Sequence, residues 1–120
     1  MNRRGMLALA DRYAALLDAN GAILQQADVD HRLTLPTDHI ILLNHARWQV
    51  EMVRRVAHRL GGEPTAVRLL GSAQGLLVAM GLVTVGETWR DNTGWLEGTS
   101  VRAFDAAIAE LTSARRNDQL

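Results

Sequence analysis

A single run of apolar residues constrains the fold of this chain more than any other feature. Its members recur at alternating spacings of three and four, which places their side chains on one face of an α-helix. A capping residue at Thr37 or Asp38 precedes the run, and Gly61 and Gly62 follow it. The sequence therefore predicts a long helix over about residues 38–60. The residues of this seam are Leu43, Ala46, Val50, Val53, Ala57 and Leu60.

A second long helix is predicted over about residues 64–81. Pro64 suits the first position of a helix, and Gly81 is typical of a helix end. Because only a short turn separates the two helices, we expect them to pack antiparallel as a hairpin. The chain holds 18 Leu and 17 Ala against 13 Val and Ile together, and this composition favours helices over a sheet.

The remaining segments complete an all-α domain of about five helices. Apolar residues at helical spacing predict a first helix over about residues 2–19, and a capping box from Thr84 to Glu87 predicts a short fourth helix to about Asp91. We expect residues 22–36 to form an ordered loop. The 120 residues suit one domain, residues 1–120, in which the first and last helices cover the hairpin. The fifth helix, capped by Thr99 or Ser100, has an apolar face of Val101, Phe104, Ile108 and Leu111.

Two short motifs lie on the predicted hairpin. The first is LNHARW, residues 43–48, and the second is RLLGSAQG, residues 68–75. Over about residues 38–92 the chain resembles a group of small helical proteins of tailed phages and prophages, in which an LNHxxW helix is followed by an RWLGxxQG helix. It departs from that pattern at Leu69, where Trp is usual. The resemblance implies a phage or prophage origin, but it implies no chemistry, because the group has no settled function.

The predicted third helix carries small residues at every fourth position, at Gly71, Gly75 and Ala79. A glycine inside a helix costs about 1 kcal/mol relative to alanine, so we expect another backbone to approach this ridge closely. That backbone belongs either to the same monomer, in the second helix, or to another subunit across a two-fold axis; a small ligand is a third interpretation. Gln74 beside the ridge needs hydrogen-bond partners if it is buried. We expect those partners from Asn44, His45 and Trp48 on the facing helix.

The 13 basic residues are all arginines, and they balance 13 acidic residues to give a net charge of zero. This balance argues against duplex DNA as a partner. The charges are nevertheless uneven: residues 47–68 hold five arginines against two glutamates, a local excess of +3. Such a cluster forms either a solvated helix face or a site for an anion such as a nucleotide phosphate. The candidate anion-binding residues are Arg47, Arg54, Arg55, Arg68 and Gln74.

Trp89 and Trp95 flank a predicted turn at residues 90–94 in a chain with only 4% aromatic residues. Two tryptophans at this spacing either close the core beneath a loop or form an interaction patch, because tryptophan is enriched at interface hot spots. The candidate interaction residues are therefore Asn44, His45, Trp48, Gly71, Gly75, Trp89 and Trp95.

The sequence lacks the motifs that are typical of several classes of function. The chain has no cysteine, its histidines are not spaced as metal ligands on one helix face, and no catalytic motif is present. We therefore expect neither metal nor other cofactor and no enzymatic activity. No apolar run is long enough to span a membrane, so we expect no membrane association and a cytoplasmic location.

The hypothesis that fits these observations is a non-enzymatic phage accessory protein. It would bind and modulate a host factor or defence component, and the generous apolar surface of the hairpin predicts a homodimer or higher oligomer. The alternative hypothesis is a small-molecule anion- or nucleotide-binding protein that uses the arginine face of the hairpin.

Overall fold

A computed structural model describes residues 2–28, 30, 32, 38–93, 95, 106 and 109–113. Within these residues all regular secondary structure is helical: α1 (Arg3–Ala19), α2 (His39–Val56), α3 (Glu63–Ala79) and α4 (Val85–Asn92). Residues 106 and 109–113 are also helical, in the segment where the fifth helix is predicted. The predicted all-α fold is therefore confirmed.

Helix α1 forms where the sequence predicts it. The Asn2 side chain caps its start by accepting a hydrogen bond from the backbone N–H of Gly5, which satisfies one of the first-turn donors that a helix leaves unpaired. Its apolar face, formed by Met6, Leu9, Ala10, Tyr13, Ala14 and Leu17, is buried. The helix lies against α2, so α1 covers one side of the hairpin, as predicted.

The hairpin of α2 and α3 forms the centre of the described structure, as the sequence predicts. Its interface has fully buried side chains from both helices, including Val50 and Val53 of α2 and Leu70 and Leu77 of α3. Full burial of such side chains contributes about 1.5–3 kcal/mol each. The hairpin core therefore carries a large share of the stability of the fold.

The prediction that Leu60 completes the buried seam is wrong. Leu43, Ala46, Val50, Val53 and Ala57 are buried, but the Leu60 side chain is fully exposed. Helix α2 ends at Val56 rather than near residue 60, so the helical register that buries the earlier seam residues does not extend to Leu60. The helix stops short because the chain has already begun to turn towards α3.

Two glycines make that turn possible. Gly61 has a φ of 74°, in the left-handed region that favours glycine. At Gly62 a Cβ atom would collide with the backbone carbonyl of Val56. The Gly-Gly pair, which four residues separate from Val56 at the end of α2, is therefore required by the connection itself.

Helix α4 begins at the predicted cap. The Thr84 hydroxyl accepts a hydrogen bond from the backbone N–H of Glu87 at 3.0 Å, which is the N-terminal half of a capping box. The helix runs to Asn92, whose side chain accepts a hydrogen bond from Gln74 of α3. Val85 of α4 and Val78 of α3 line the same groove. Helix α4 therefore borders a groove with α3 and is joined to it through Asn92.

Residues 22–28 have no regular secondary structure, which agrees with the predicted loop. Residues 29, 31 and 33–36 of that predicted loop lie outside the described residues, and so do Val101, Phe104 and Ile108 of the apolar face predicted for the fifth helix. Leu111 of that face is exposed. Among the described residues, no helix combines the length and hydropathy needed to cross a bilayer.

Candidate interaction site

The two tryptophans have different environments. Trp95 is 5% exposed and belongs to the core, and its indole N–H donates to the Asn92 side chain at 3.0 Å. Trp89 is 44% exposed. Of the two interpretations open from the sequence, core closure fits Trp95 and an accessible surface fits Trp89.

Trp89 borders an open groove between α3 and α4. The groove has a volume of about 340 Å³ and is lined by residues that include Gly71, Gly75, Val78, Val85 and Trp89. Its glycine floor is the exposed backbone at Gly71 and Gly75. Both glycines are exposed, and a Cβ atom added at either would meet no neighbour within 4 Å. The glycine ridge is therefore accessible, and in the described part of the chain no backbone packs closely on it.

Gln74 lies buried beside the groove, but its partners are not those predicted. Its Nε2 donates to the Asn92 Oδ1 at 2.7 Å and to the Tyr13 hydroxyl at 3.1 Å. Helix α3 places Gln74 on the side that faces α1 and α4, whereas Asn44, His45 and Trp48 lie on α2. The predicted hydrogen bonds to α2 are therefore wrong because they assign Gln74 to the other side of α3.

Sequence reasoning also missed Tyr13 and Asp91 as members of this network. The Tyr13 hydroxyl donates to the Asp91 carboxylate at 2.8 Å, and Asp91 accepts from Arg12 at 3.1 Å. Burial raises the pKa of Tyr13; the bond from Gln74 lowers it, while the Asp91 carboxylate raises it further. The sequence feature that could have revealed this network is a tyrosine on the apolar face of α1, since a buried hydroxyl requires a hydrogen-bond partner. Helices α1, α3 and α4 are thereby joined at one point.

Asn44 and His45 form hydrogen bonds with the loop after α1 and not with Gln74. The Asn44 Oδ1 accepts from the Ile23 N–H at 2.9 Å, and the His45 Nδ1 accepts from the Ala27 N–H at 3.1 Å. The imidazole also stacks on Trp48 with ring centroids 5.5 Å apart. Burial lowers the pKa of His45, which favours the neutral form that this acceptor role requires.

Most of the predicted arginine face is engaged in ion pairs. Arg47, Arg54 and Arg55 all approach Glu51, at 3.4, 3.2 and 3.7 Å, and α1 supplies Asp18 to Arg47 and Asp11 to Arg54. Burial alone would raise the pKa of Glu51, but Arg47 and Arg54 hold it below its ordinary value. Arg47 and Arg54 therefore bind α1 to α2, Arg55 pairs within α2, and the three arginines leave little unbalanced charge for an anion.

Arg68 lies apart from that cluster, exposed on α3, and it makes no ion pair with any described residue. On the other side of the hairpin core, Gln49 donates to the Ser72 hydroxyl at 2.7 Å. Its buried Oε1 has no hydrogen-bond partner among the described residues. The structure thus does not assemble Arg47, Arg54, Arg55, Arg68 and Gln74 around one cavity.

A search of the described residues finds no group of three or more potential metal ligands. Comparison of the chain with protein-family models, curated proteins and solved structures gives no match. The groove beside Trp89 is therefore the candidate interaction site on the strength of its own geometry.

Proposed function

We propose that this protein is a non-enzymatic accessory protein of phage or prophage origin that acts in the bacterial cytoplasm by protein–protein interaction. In this proposal it self-associates through the groove of Gly71, Gly75, Val78, Val85 and Trp89, and it binds a host factor or defence component. The observation that supports it best is an exposed tryptophan beside a groove with a glycine floor.

The groove has two properties of an association site. A glycine floor admits another backbone or a large side chain at short distance, because no Cβ atoms project from it. Trp89 supplies the residue type most enriched among hot spots, and its exposed surface gains free energy when it is removed from water.

The combination of these two properties in one patch supports self-association. In a dimer with two-fold symmetry the same patch lies on both subunits. The Trp89 side chain of each copy can then enter the glycine-floored groove of the other. A projecting side chain and a recess on one patch make that patch complementary to itself.

The hydrogen bonds around Gln74 support a preformed groove. Asn92, near the end of α4, is bonded to both Gln74 and Trp95, and Asp91 is bonded to α1. These contacts hold α4 beside α3 before any partner binds, which lowers the ordering cost of association.

The arginine-face alternative has weaker support. An anion at Arg47, Arg54 and Arg55 would compete with Glu51, and Gln74 is committed to Tyr13 and Asn92. Anion binding at that face therefore requires several existing contacts to break.

Sedimentation equilibrium of the wild type and of Trp89→Ala tests the proposal. We expect the wild type to sediment above the 13.2 kDa of one chain and Trp89→Ala to dissociate at least tenfold more readily, as removal of a hot-spot residue does. Arg90→Ala is the matched control, since Arg90 is the exposed neighbour on α4 and does not line the groove. Equal association of both variants and the wild type contradicts the proposal.

A further inference from the structure

A second hollow, separate from the groove, lies where the hairpin turns. It has a volume of about 470 Å³ and is lined by residues of the turn, by the start of α3 and by Arg3 of α1. This volume is within the range of small-molecule sites, about 300–1,000 Å³. The hollow therefore has room for a ligand of nucleotide size.

The lining is cationic. Arg3, His58 and Arg59 contribute to it, and Glu63 is the one acidic residue among the described residues that line it. Glu63 is paired with Arg3 at 3.2 Å, whereas Arg59 forms no ion pair or side-chain hydrogen bond with any described residue. Arg4 follows Arg3 in α1 and is also exposed. It forms no ion pair with any described residue. Three arginines, Arg3, Arg4 and Arg59, against Glu63 give these described residues a formal excess of +2.

The hollow also offers apolar surface. Leu60 and Pro64 line it beside the arginines, and both are exposed. Leu60 makes no contribution to the core, although its spacing would have placed it in the seam of α2. A fully exposed leucine between cationic groups provides a surface on which an apolar ring can pack.

We propose that this hollow binds a nucleoside polyphosphate. Arg59 and Arg3 donate charge-assisted hydrogen bonds to the phosphate chain, and Leu60 with Pro64 packs against the base. The arginines of α2 cannot take this part equally well, because Glu51, Asp18 and Asp11 already pair with them. The proposal concerns a different surface from the groove and does not depend on the function proposed above.

Isothermal titration calorimetry with ATP and with inorganic tripolyphosphate tests the phosphate-binding and the base-binding parts of the site. We expect Arg59→Gln to weaken the binding of both probes about tenfold, as loss of a charge-assisted hydrogen bond does. Leu60→Ala should weaken ATP binding about threefold and leave tripolyphosphate unchanged, because only ATP has a base. Glu63→Gln should strengthen both about threefold, since it removes a carboxylate from the hollow and releases Arg3.

Arg55→Gln is the matched control, because it removes the same charge from an exposed arginine near the end of α2 that is engaged by Glu51. Its affinities should stay within about twofold of the wild type. Three results would overturn the proposal: no heat with either probe at about 1 mM, equal losses in Arg55→Gln and Arg59→Gln, or binding to anionic phosphatidylserine vesicles without binding to the soluble probes. Circular dichroism melts of each variant establish that the fold is intact.

Discussion

The two faces of α3 use small residues in opposite ways. On the inner face Ala66, Leu70, Ala73 and Leu77 are fully buried, so alanines there allow close packing against the neighbouring helices. On the outer face Gly71 and Gly75 are exposed, with open space where their side chains would be. The cost of glycine in a helix is therefore not offset by contacts in the described part of the chain. A spacing of four between small residues indicates a smooth helix surface, but it does not say what covers that surface.

The largest effect should come from truncating the inner face. Leu70→Ala removes a side chain that is fully buried between the helices and should lower the free energy of unfolding by about 2–5 kcal/mol. Val67→Ala, on the exposed side of the same helix, should change it by no more than about 0.5 kcal/mol. Urea denaturation measures both. Similar values for the two variants would remove the distinction between the faces.

Gln74 lies where the inner face meets the groove. Gln74→Ala removes the donor shared by Tyr13 and Asn92 and should cost about 1–3 kcal/mol, since buried polar groups lose their partners. Tyr13→Phe keeps the bond from Gln74 to Asn92 and should cost less. The same denaturation experiment compares them, and a larger loss in Tyr13→Phe would show that Gln74 is not the centre of the network.

Two glycine substitutions distinguish a required glycine from an exposed one. Gly62→Ala forces a Cβ atom against the Val56 carbonyl and should destabilise by more than about 1 kcal/mol. Gly75→Ala meets open space in a helix and should stabilise the monomer by up to about 1 kcal/mol. Thermal melts at low protein concentration report both signs. Destabilisation by Gly75→Ala would indicate that the outer glycines pack inside the monomer.

The smallest effect on stability should come from protonation of His45 as the pH is lowered. His45 accepts a hydrogen bond from Ala27 and has a lowered pKa. Its neutral form therefore stabilises the fold fully above the unfolded pKa of about 6.5, and that stability is lost as the pH falls from there through the folded pKa.

His45→Asn retains an acceptor without a titrating ring, so its unfolding free energy should vary less between about pH 7 and pH 5 than that of the wild type. A wild-type and variant pH dependence that coincide would show that His45 does not provide it. Glu51 contributes in a lower range, because its pKa is below its ordinary value and its share is lost only in more acidic solution.

Sequence patterns predicted where the helices of this fold lie in the chain better than they predicted which helices and side chains contact each other. Caps and periodicity located α1 and α4 closely, because those signals are local. Periodicity failed at Leu60, since the register of α2 says nothing about where tertiary contacts end the helix. It also placed Gln74 opposite the wrong helix, because which side of α3 faces α1 depends on packing angles that spacing does not encode. The exposure of Trp89 and burial of Trp95 likewise follow from the path of α4.

Sedimentation equilibrium of Gly75→Leu beside the wild type tests most directly whether the outer face of α3 is an association surface. A Cβ atom added at this position meets nothing within 4 Å beyond the neighbouring backbone of its own helix, so we expect the variant to fold while its side chain fills the groove. We predict a wild type heavier than one chain and a Gly75→Leu variant that sediments as a 13.2 kDa monomer. A wild type that remains a monomer at about 100 μM, or a variant that associates as strongly as the wild type, would contradict this assignment.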